Sequence, residues 1–208
     1  MAGPSSRAPG ARSTRRRGAA LEQAARDAVL MELAEVGYAA LTMEQIGRRA
    51  GTGKAPLYRR WPTKEELILS ALEHLPVPEP HDRVDTGDLR GDLVELLAAQ
   101  AQAMARPAGR GIYRLILELV LDRSRHPDLT AAVLDKLLQP RLTAITDALH
   151  RAARRGQIRP HVISELVTRT GPALVVAHQL QHDNPPTRDD ITAIVDRILI
   201  PALTAATS

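Results

Sequence analysis

The chain of 208 residues contains no cysteine and no phenylalanine, and aromatic residues make up only 2% of it. Without cysteine it can form neither disulfides nor thiolate metal sites, and it has no cysteine nucleophile. Its core must therefore consist of Leu, Ile, Val and Ala. No apolar run reaches the roughly 18 residues of a membrane-spanning helix, and the N-terminus lacks the apolar segment of a signal peptide. These absences predict a cytoplasmic protein.

The residues that are abundant favour helices. Ala, Leu, Arg and Glu are frequent while aromatic and β-branched residues are not, which predicts an all-α fold. The length suits a small N-terminal module followed by a larger helical domain. The net charge is +4, and its placement is uneven: residues 1–75 carry 12 basic and 8 acidic groups, whereas residues 76–208 carry 16 of each. The whole excess of positive charge thus lies in the N-terminal third, which favours a polyanionic partner such as a nucleic acid there.

The segment TMEQIGRRAG, residues 42–51, carries the signals of a short helix. Thr42 is a good N-cap, and Gln45 completes a capping box, so the helix should begin at Met43. Gly51 supplies a position that tolerates the left-handed conformation and ends the helix. The apolar positions have the period of an amphipathic helix: they are Met43, Ile46, Gly47 and Ala50.

A second short helix should follow a glycine-rich turn. It is expected to begin near Lys54 or Ala55, with Pro56 in its first turn, where a missing N–H breaks no intrahelical bond. Leu57 and Trp61 lie one turn apart and should point inward. Two short helices joined by a tight turn, the second bearing basic side chains, are typical of a helix-turn-helix whose second helix enters the major groove.

The order of residues in this region also resembles a known family. The stretch GTGKAPLYRRWPTKEEL, residues 51–67, preceded by TMEQIGRRA, is similar to the DNA-binding signature of TetR/AcrR-type transcriptional repressors. That signature combines a small-residue turn, a lysine, a Leu/Ile-Tyr pair, an aromatic residue and Ser/Thr-Lys-Glu. The resemblance implies a DNA-binding site at Thr42, Thr52, Gly53, Lys54, Ala55, Leu57, Tyr58, Arg59 and Lys64. Outside this motif, the polar members would be read as a solvated helix face.

The rest of the N-terminal region divides into a tail and two supporting helices. Residues 1–17, with five arginines, read as a disordered basic tail that either contacts DNA or remains a solvated tail. A helix from Ala19 to Val36, closed by Gly37, should brace the helix-turn-helix. Another should start after the N-cap Thr63 and run to Leu75. Residues 18–75 therefore form the predicted DNA-binding domain.

Residues 76–208 form the predicted effector-binding and dimerisation domain. A linker rich in proline and charge occupies residues 76–87. Helical patterns follow at about 88–106, 111–123, 127–155, 162–182 and 189–203, and Gly156 closes the third. Pro140 lies inside that third pattern, where it marks either a kink or a break, and the interpretation favoured here is a kink.

The resemblance implies more than DNA binding. In TetR-like proteins the effector pocket lies among the helices of the C-terminal domain, and the last two helices pair with those of a second copy. Candidate effector residues are polar or bulky residues that interrupt apolar stripes, although for each one taken singly a place in the core or on the surface is the favoured interpretation: Gln100, Met104, Tyr113, Glu118 and His178. An aliphatic lining favours a hydrophobic ligand. A contact within one chain is the alternative to the dimer.

Catalytic and cofactor motifs are not recognisable in the sequence. His178 and His182 are i, i+4 neighbours, but no HExxH pattern accompanies them, so neither a metal nor another cofactor is expected. No phosphate loop or nucleophile elbow appears, and an enzyme is not predicted. The favoured hypothesis is a repressor that a small ligand releases from a palindromic double-stranded operator. The alternative is a helical small-molecule-binding protein or enzyme with a vestigial helix-turn-helix.

Overall fold

A computed structural model describes residues 10–75, 84–182 and 184–205, with side chains from Gly18 onward. Within these ranges the chain is helical and contains no strand, as the composition predicts. No helix in the same ranges is long and apolar enough to cross a membrane.

The N-terminal module consists of four helices whose ends agree well with the local signals. They are α1 (Gly10–Ala40), α2 (Met43–Arg49), α3 (Lys54–Tyr58) and α4 (Lys64–Glu73). Thr42 caps α2 and Thr63 caps α4, in both cases through the side-chain oxygen.

The first helix begins earlier than the sequence predicts. Residues 10–17, assigned above to a disordered tail, are the first turns of α1, while residues 1–9 of that tail lie outside the described residues. Alanine and arginine are good helix formers, and nothing between Gly10 and Ala19 stops a helix from extending towards the N-terminus. The predicted closure is present, because Gly37 has φ 76° and ψ 176°, which interrupts the helical backbone.

The C-terminal part begins after the predicted linker, of which residues 76–83 lie outside the described residues. Its helices are α5 (Leu89–Ala105), α6 (Pro107–Leu121), α7 (Pro127–Leu137), α8 (Gln139–Arg154), α9 (Glu165–His182), α10 (Arg188–Ile194) and α11 (Ile200–Thr204). A π-helical segment, Val195–Leu199, joins α10 to α11. Gly156 ends α8 with φ 74°, as predicted.

The expectation of a kink at Pro140 is wrong. α7 ends at Leu137 and a new helix, α8, starts at Gln139, so the chain breaks there. Pro140 lies in the first turn of α8, where its missing N–H would have had no intrahelical acceptor. A break avoids the lost hydrogen bond and the ring clash that an interior proline imposes.

The helices enclose two hydrophobic cores. One joins the N-terminal module to α6 and α7, since it includes Leu115, Leu119 and Val133 beside the residues of α1 to α4. The other lies among α5, α8, α9 and the last helix, the name used here for α10, the π-helical segment and α11 together. α1 and α6 approach closely, because a Cβ atom at Gly111 would lie 2.2 Å from the carbonyl oxygen of Leu30. α6 is therefore packed directly on the N-terminal module.

The inward side of the last helix has an unusual spacing. Its buried residues recur every fourth position: Ile191, Val195, Leu199 and Leu203. The π-helical segment lies in the middle of this series. α9 contacts the same helix where a Cβ atom at Gly171 would lie 3.0 Å from Leu199 Cδ1.

Candidate nucleic-acid interface and effector region

The helix-turn-helix is fixed by hydrogen bonds within α2 and the turn. The Thr42 hydroxyl accepts from the Gln45 N–H at 3.3 Å, and the Gln45 amide oxygen accepts from the Thr42 N–H at 2.8 Å, which completes the predicted capping box. Gly51 adopts φ 68°, and the Thr52 N–H donates to the Gly47 carbonyl at 2.8 Å. These contacts set the position of α3 relative to α2.

The outer face of α3 is exposed and polar. Lys54, Ala55, Tyr58 and Arg59 are exposed, with Tyr58 at 49%. Among the described residues, the side chains of Lys54, Tyr58 and Arg59 have no hydrogen-bond or ion-pair partner. Thr52 and Gly53 lie beside this face in the turn, half-buried and exposed respectively. The face therefore offers two cations and a phenol to a partner.

The prediction that Leu57 contacts DNA is wrong. Leu57 is fully buried, at 0% exposed, so its side chain has no surface left for DNA. It points inward together with Trp61, as their spacing of one turn predicts. The guanidinium of Arg26 lies 6.0 Å from the ring centre of Trp61. Leu57 and Trp61 thus hold α3 on the module.

Other basic side chains near α3 are paired within the chain. Arg60 Nε contacts Glu22 at 2.7 Å, and Arg49 Nε contacts Glu32 at 2.7 Å. Their charges are largely compensated, unlike those of Lys54 and Arg59.

Lys64 has partners that the motif does not reveal. Its ammonium donates to the carbonyl oxygens of Tyr38 at 2.8 Å and Leu41 at 3.2 Å, and it lies 4.2 Å from the centre of the Tyr38 ring. Burial lowers the pKa of Lys64, while the carboxylates of Glu65 and Glu118 oppose that shift. Lys64 therefore joins the start of α4 to the end of α1.

Glu118 does not lie in a pocket, in contrast to its selection as an effector residue. Its carboxylate accepts from the N–H groups of Tyr38 at 2.8 Å and Ala39 at 3.1 Å, just after the interruption at Gly37. Arg114 donates to Glu118 at 3.1 Å and to the Glu35 carbonyl at 3.0 Å. Glu118 interrupts an apolar stripe because it satisfies backbone groups of α1 that the broken helix leaves free.

Tyr38 extends this junction to α4 and α7. Its hydroxyl donates to Glu65 at 2.5 Å and lies 3.3 Å from Nδ1 of His126, which precedes α7. Burial, together with the hydrogen bond and charge of Glu65, raises the pKa of Tyr38 far above its usual value. The junction of Tyr38, Lys64, Glu65 and Glu118, called the α1–α4–α6 junction below, links the DNA-binding module to the C-terminal helices.

The remaining effector candidates lie on α5, α6 and α9. Gln100 is buried and donates to the Pro172 carbonyl at 3.2 Å, while the Tyr113 hydroxyl donates to the Val176 carbonyl at 3.4 Å. Met104 is buried one turn after Gln100. The ring of His178 stacks on that of His182 at 4.3 Å. In the part of the chain that the structure describes, no three acidic or histidine side chains are grouped to hold a metal.

None of the five effector candidates lines either of two cavities found among the described C-terminal helices. The first, about 10 Å³, is enclosed by aliphatic residues of α5, α8, α9 and the last helix. The second, about 190 Å³, is an open groove between α5 and the start of α10. The first is too small for more than a water molecule, so a ligand in this core would require side chains to move.

Three polar residues of this region were not among the candidates selected from the sequence. Asp92 is fully buried and binds Arg151 at 3.3 Å across α5 and α8. Arg141, half-buried near the start of α8, has no hydrogen-bond or ion-pair partner among the described residues. The side-chain oxygen of Gln179 is buried and likewise has no partner there. A charged residue within the apolar stripe of a helix is the signal that could have found Asp92 and Arg141.

Comparison with known proteins identifies the family. Residues 26–71 match the model of bacterial regulatory proteins of the tetR family, and residues 83–198 match that of the tetracyclin repressor-like C-terminal domain. An uncharacterised HTH-type transcriptional regulator of Mycobacterium tuberculosis is 31% identical over 179 residues, which cover 84% of each chain. The chain belongs to the TetR family. It is a TetR-family helix-turn-helix transcriptional regulator, and the two matched regions correspond to the DNA-binding module and the C-terminal helices.

Other relatives agree with this placement of the TetR-family chain. A protein of Mycobacteroides abscessus named DNA-binding transcriptional repressor TetR is 29% identical over 174 residues, covering 82% of this chain and 87% of that one. The crystal structure of the TetR family transcription regulator SCO0332 is 31% identical with a TM-score of 0.55, covering 84% and 96%. A TetR-family structure from Mesorhizobium loti, 18% identical with a TM-score of 0.69, covers 91% and 98% and shares the fold.

Proposed function

We propose that this TetR-family regulator is a homodimeric repressor that binds a palindromic operator and is released from it by a small hydrophobic ligand. The observation that carries the DNA-reading part is the outer face of α3, where Lys54, Tyr58 and Arg59 have no partner among the described residues. Lys54 and Tyr58 contact base edges or phosphates. Thr52, Gly53, Ala55 and Arg59 complete the surface that approaches the groove.

Phosphate contacts come from the edges of the module. Thr42 and Lys64 stand at the N-termini of α2 and α4, where a phosphate also meets free N–H groups and the positive end of the helix dipole. Lys64 donates to the Tyr38 and Leu41 carbonyls, so it exchanges at least one of these bonds for a phosphate when DNA binds.

A second copy covers the exposed apolar side chains of α9 and the last helix. Leu166 is 78% exposed, Leu180 is 58% exposed and Ile198 is 43% exposed, although α9 and the last helix are otherwise packed on the core. The two helices touch at Gly171 and Leu199, so both can contribute to one interface. A two-fold dimer also supplies the two recognition helices, about 34 Å apart, that a palindromic operator needs.

Release of DNA requires a path from the C-terminal helices to α3. The α1–α4–α6 junction offers one, since Glu118 of α6 binds the end of α1 and Tyr38 binds Glu65 of α4. A ligand that displaces α6 would tilt α4 and change the separation of the recognition helices. It shifts the equilibrium only if it binds the released state more tightly than the DNA-bound state.

Selection from a random duplex library at about 150 mM salt tests DNA reading, because weak non-specific binding is suppressed there. We expect an enriched inverted repeat. On that repeat, Lys54→Ala and Tyr58→Ala should each weaken binding by about 1–3 kcal/mol if they contact bases. If Lys54 instead neutralises a phosphate, its loss should reduce the salt slope by about 0.9, whereas loss of the uncharged Tyr58 should leave the slope unchanged.

Lys136→Ala is the matched control, since Lys136 is an exposed lysine on α7, outside the DNA-binding module. Equal affinities of the Lys54→Ala variant and the control would contradict the assignment of α3. They would favour the alternative, a small-molecule-binding protein or enzyme with a vestigial helix-turn-helix.

A further inference from the structure

The buried face of α8 contains a cation that the described chain leaves without a counter-charge. Arg141 lies on the same side of α8 as Ile145, Ala148 and Ala152, which are all buried. It is half-buried itself, and no described carboxylate, carbonyl or hydroxyl accepts from its guanidinium. An arginine at such a position normally pairs with an acidic group.

A neighbouring arginine of α8 shows the contrast. Arg151, on the same helix, binds the fully buried Asp92 at 3.3 Å and the Val84 carbonyl at 2.6 Å. Among the described residues, the charge of Arg151 is therefore compensated and that of Arg141 is not. Burial lowers the pKa of Arg141, which means that the surroundings disfavour its charge. Because arginine stays protonated in proteins, that cost remains in the ligand-free fold.

The packing of α8 on α5 shows which part of α5 lies beside Arg141. Asp92 faces Arg151. Further along, Leu93 and Leu149, then Leu97 and Ile145, line the same small cavity. The two helices are thus antiparallel, and the same register puts Arg141 level with the turn of α5 between Gln100 and Met104.

Other polar groups lie at this end of the bundle. The Tyr113 hydroxyl makes only a long hydrogen bond, 3.4 Å, to the Val176 carbonyl, and burial raises the pKa of Tyr113, so it stays a neutral donor. On α9, Pro172 accepts from Gln100, Val176 follows Pro172 by one turn, and the side-chain oxygen of Gln179 near it is buried without a partner among the described residues. The surrounding side chains, including Met104 and Val175, are apolar.

We propose that Arg141 anchors the effector through an anionic group, and that the effector is an organic carboxylate with an apolar body. The carboxylate binds the guanidinium fork of Arg141 and accepts from the Tyr113 hydroxyl, while the apolar body displaces side chains between α5, α8 and α9. This inference rests on the proposed function, in which the C-terminal helices receive the ligand. It adds a charge requirement that hydrophobicity alone does not supply.

The test uses the full chain and thermal unfolding, without DNA. The probes are sodium carboxylates with aliphatic and aromatic bodies, octanoate, decanoate and phenylbutanoate, each beside the corresponding alcohol, with sodium sulfate as an anion that has no apolar body. We expect at least one carboxylate to raise Tm with increasing concentration more than its alcohol does. Sulfate should leave wild type and variants equally affected.

Variants of α8 connect the effect to Arg141. Arg141→Met should weaken binding of the active carboxylate about 10- to 100-fold, whereas Arg141→Lys, which keeps the charge without the fork, should weaken it less. Without ligand, Arg141→Met should unfold at no lower temperature than wild type, because it removes an uncompensated charge. Arg154→Met is the control, since Arg154 is exposed on the same helix.

Three results would overturn the inference: no carboxylate exceeds its alcohol, the stabilisation survives in Arg141→Met, or Arg154→Met loses it equally. The readout is independent of the operator. A chain that binds the carboxylate through Arg141 but selects no DNA sequence contradicts the proposed function alone, and one that binds the operator but ignores every carboxylate contradicts this inference alone.

Discussion

Replacing Gly37 by alanine tests whether α1 and α6 are joined rigidly. Gly37 has φ 76° and ψ 176°, a region that residues with a side chain hardly populate. A Cβ atom there would lie 2.1 Å from Glu118 Oε1 and 2.7 Å from Arg114 Nε. The added methyl group therefore meets a backbone penalty and a collision with the carboxylate that caps α1.

The two terms can be estimated separately. The backbone conformation costs on the order of 1–3 kcal/mol for a residue other than glycine. Displacing Glu118 weakens its hydrogen bonds to the N–H groups of Tyr38 and Ala39, which adds roughly 1–3 kcal/mol. We expect Gly37→Ala to lose about 2–6 kcal/mol of unfolding free energy, the sum of the two, which at about 2–4 °C per kcal/mol for a chain of this size lowers Tm by roughly 4–24 °C.

Gly156→Ala provides the matched control. Gly156 also has a positive φ, 74°, but nothing lies within 4 Å of the Cβ atom that alanine would add. Gly156→Ala should lose only about 1–2 kcal/mol of unfolding free energy, which is the cost of the left-handed backbone conformation for alanine. Thermal and urea unfolding followed by circular dichroism at the helical band would measure both. Equal losses in the two variants would refute the argument that Glu118 is held firmly against Gly37.

The dimer and the pH dependence of the junction yield two further predictions. Leu180→Asp should convert the dimer to monomers, as measured by light scattering. The control Leu121→Asp, at an exposed leucine at the end of α6, should stay dimeric. If both variants are dimers, α9 is not part of the interface. Burial acts to raise the pKa of Glu65, but the hydrogen bond from the Tyr38 hydroxyl helps to lower it overall. This carboxylate therefore stabilises the fold at pH values above its unfolded pKa, and the contribution is lost as the pH falls through the folded pKa. Tyr38→Phe should therefore lose less stability than wild type between about pH 5 and pH 3, and parallel curves in urea unfolding would contradict this.

The helix-turn-helix could be predicted closely because its signals act over a few residues. Thr42 with Gln45, the positive φ of Gly51 and the place of Pro56 in the first turn of α3 all depend on neighbours within one turn. The N-cap Thr63 likewise located the start of α4. Propensity reasoning failed at Gly10, where no residue actively begins the helix and nothing nearby prevents it, and at Pro140, where the expected kink is a break between two helices.

Residues whose partners are distant in sequence were harder to interpret. Lys64 binds carbonyls 26 and 23 residues away, and Glu118 binds the N–H of a residue 80 positions away. Both were read from the helix in which they stand, as a phosphate contact and as a pocket residue. A single sequence carries no information on such separations, and the unpaired state of Arg141 became visible only once its neighbours were in place.

The π-helical segment Val195–Leu199 sets the phase of the last helix. In a regular α-helix, residues spaced by four advance about 40° beyond a full turn, so Leu203 would lie about 120° away from the side that Ile191 occupies. Bonds between residues five apart wind the chain less per residue, and this loosening returns all four apolar side chains to one seam. A relative one residue shorter in this segment would keep the same seam with an unbroken α-helix. Deleting a residue here should consequently disturb the fold less than deleting one from α9. Differences in helix length among members of the family should likewise concentrate at this turn.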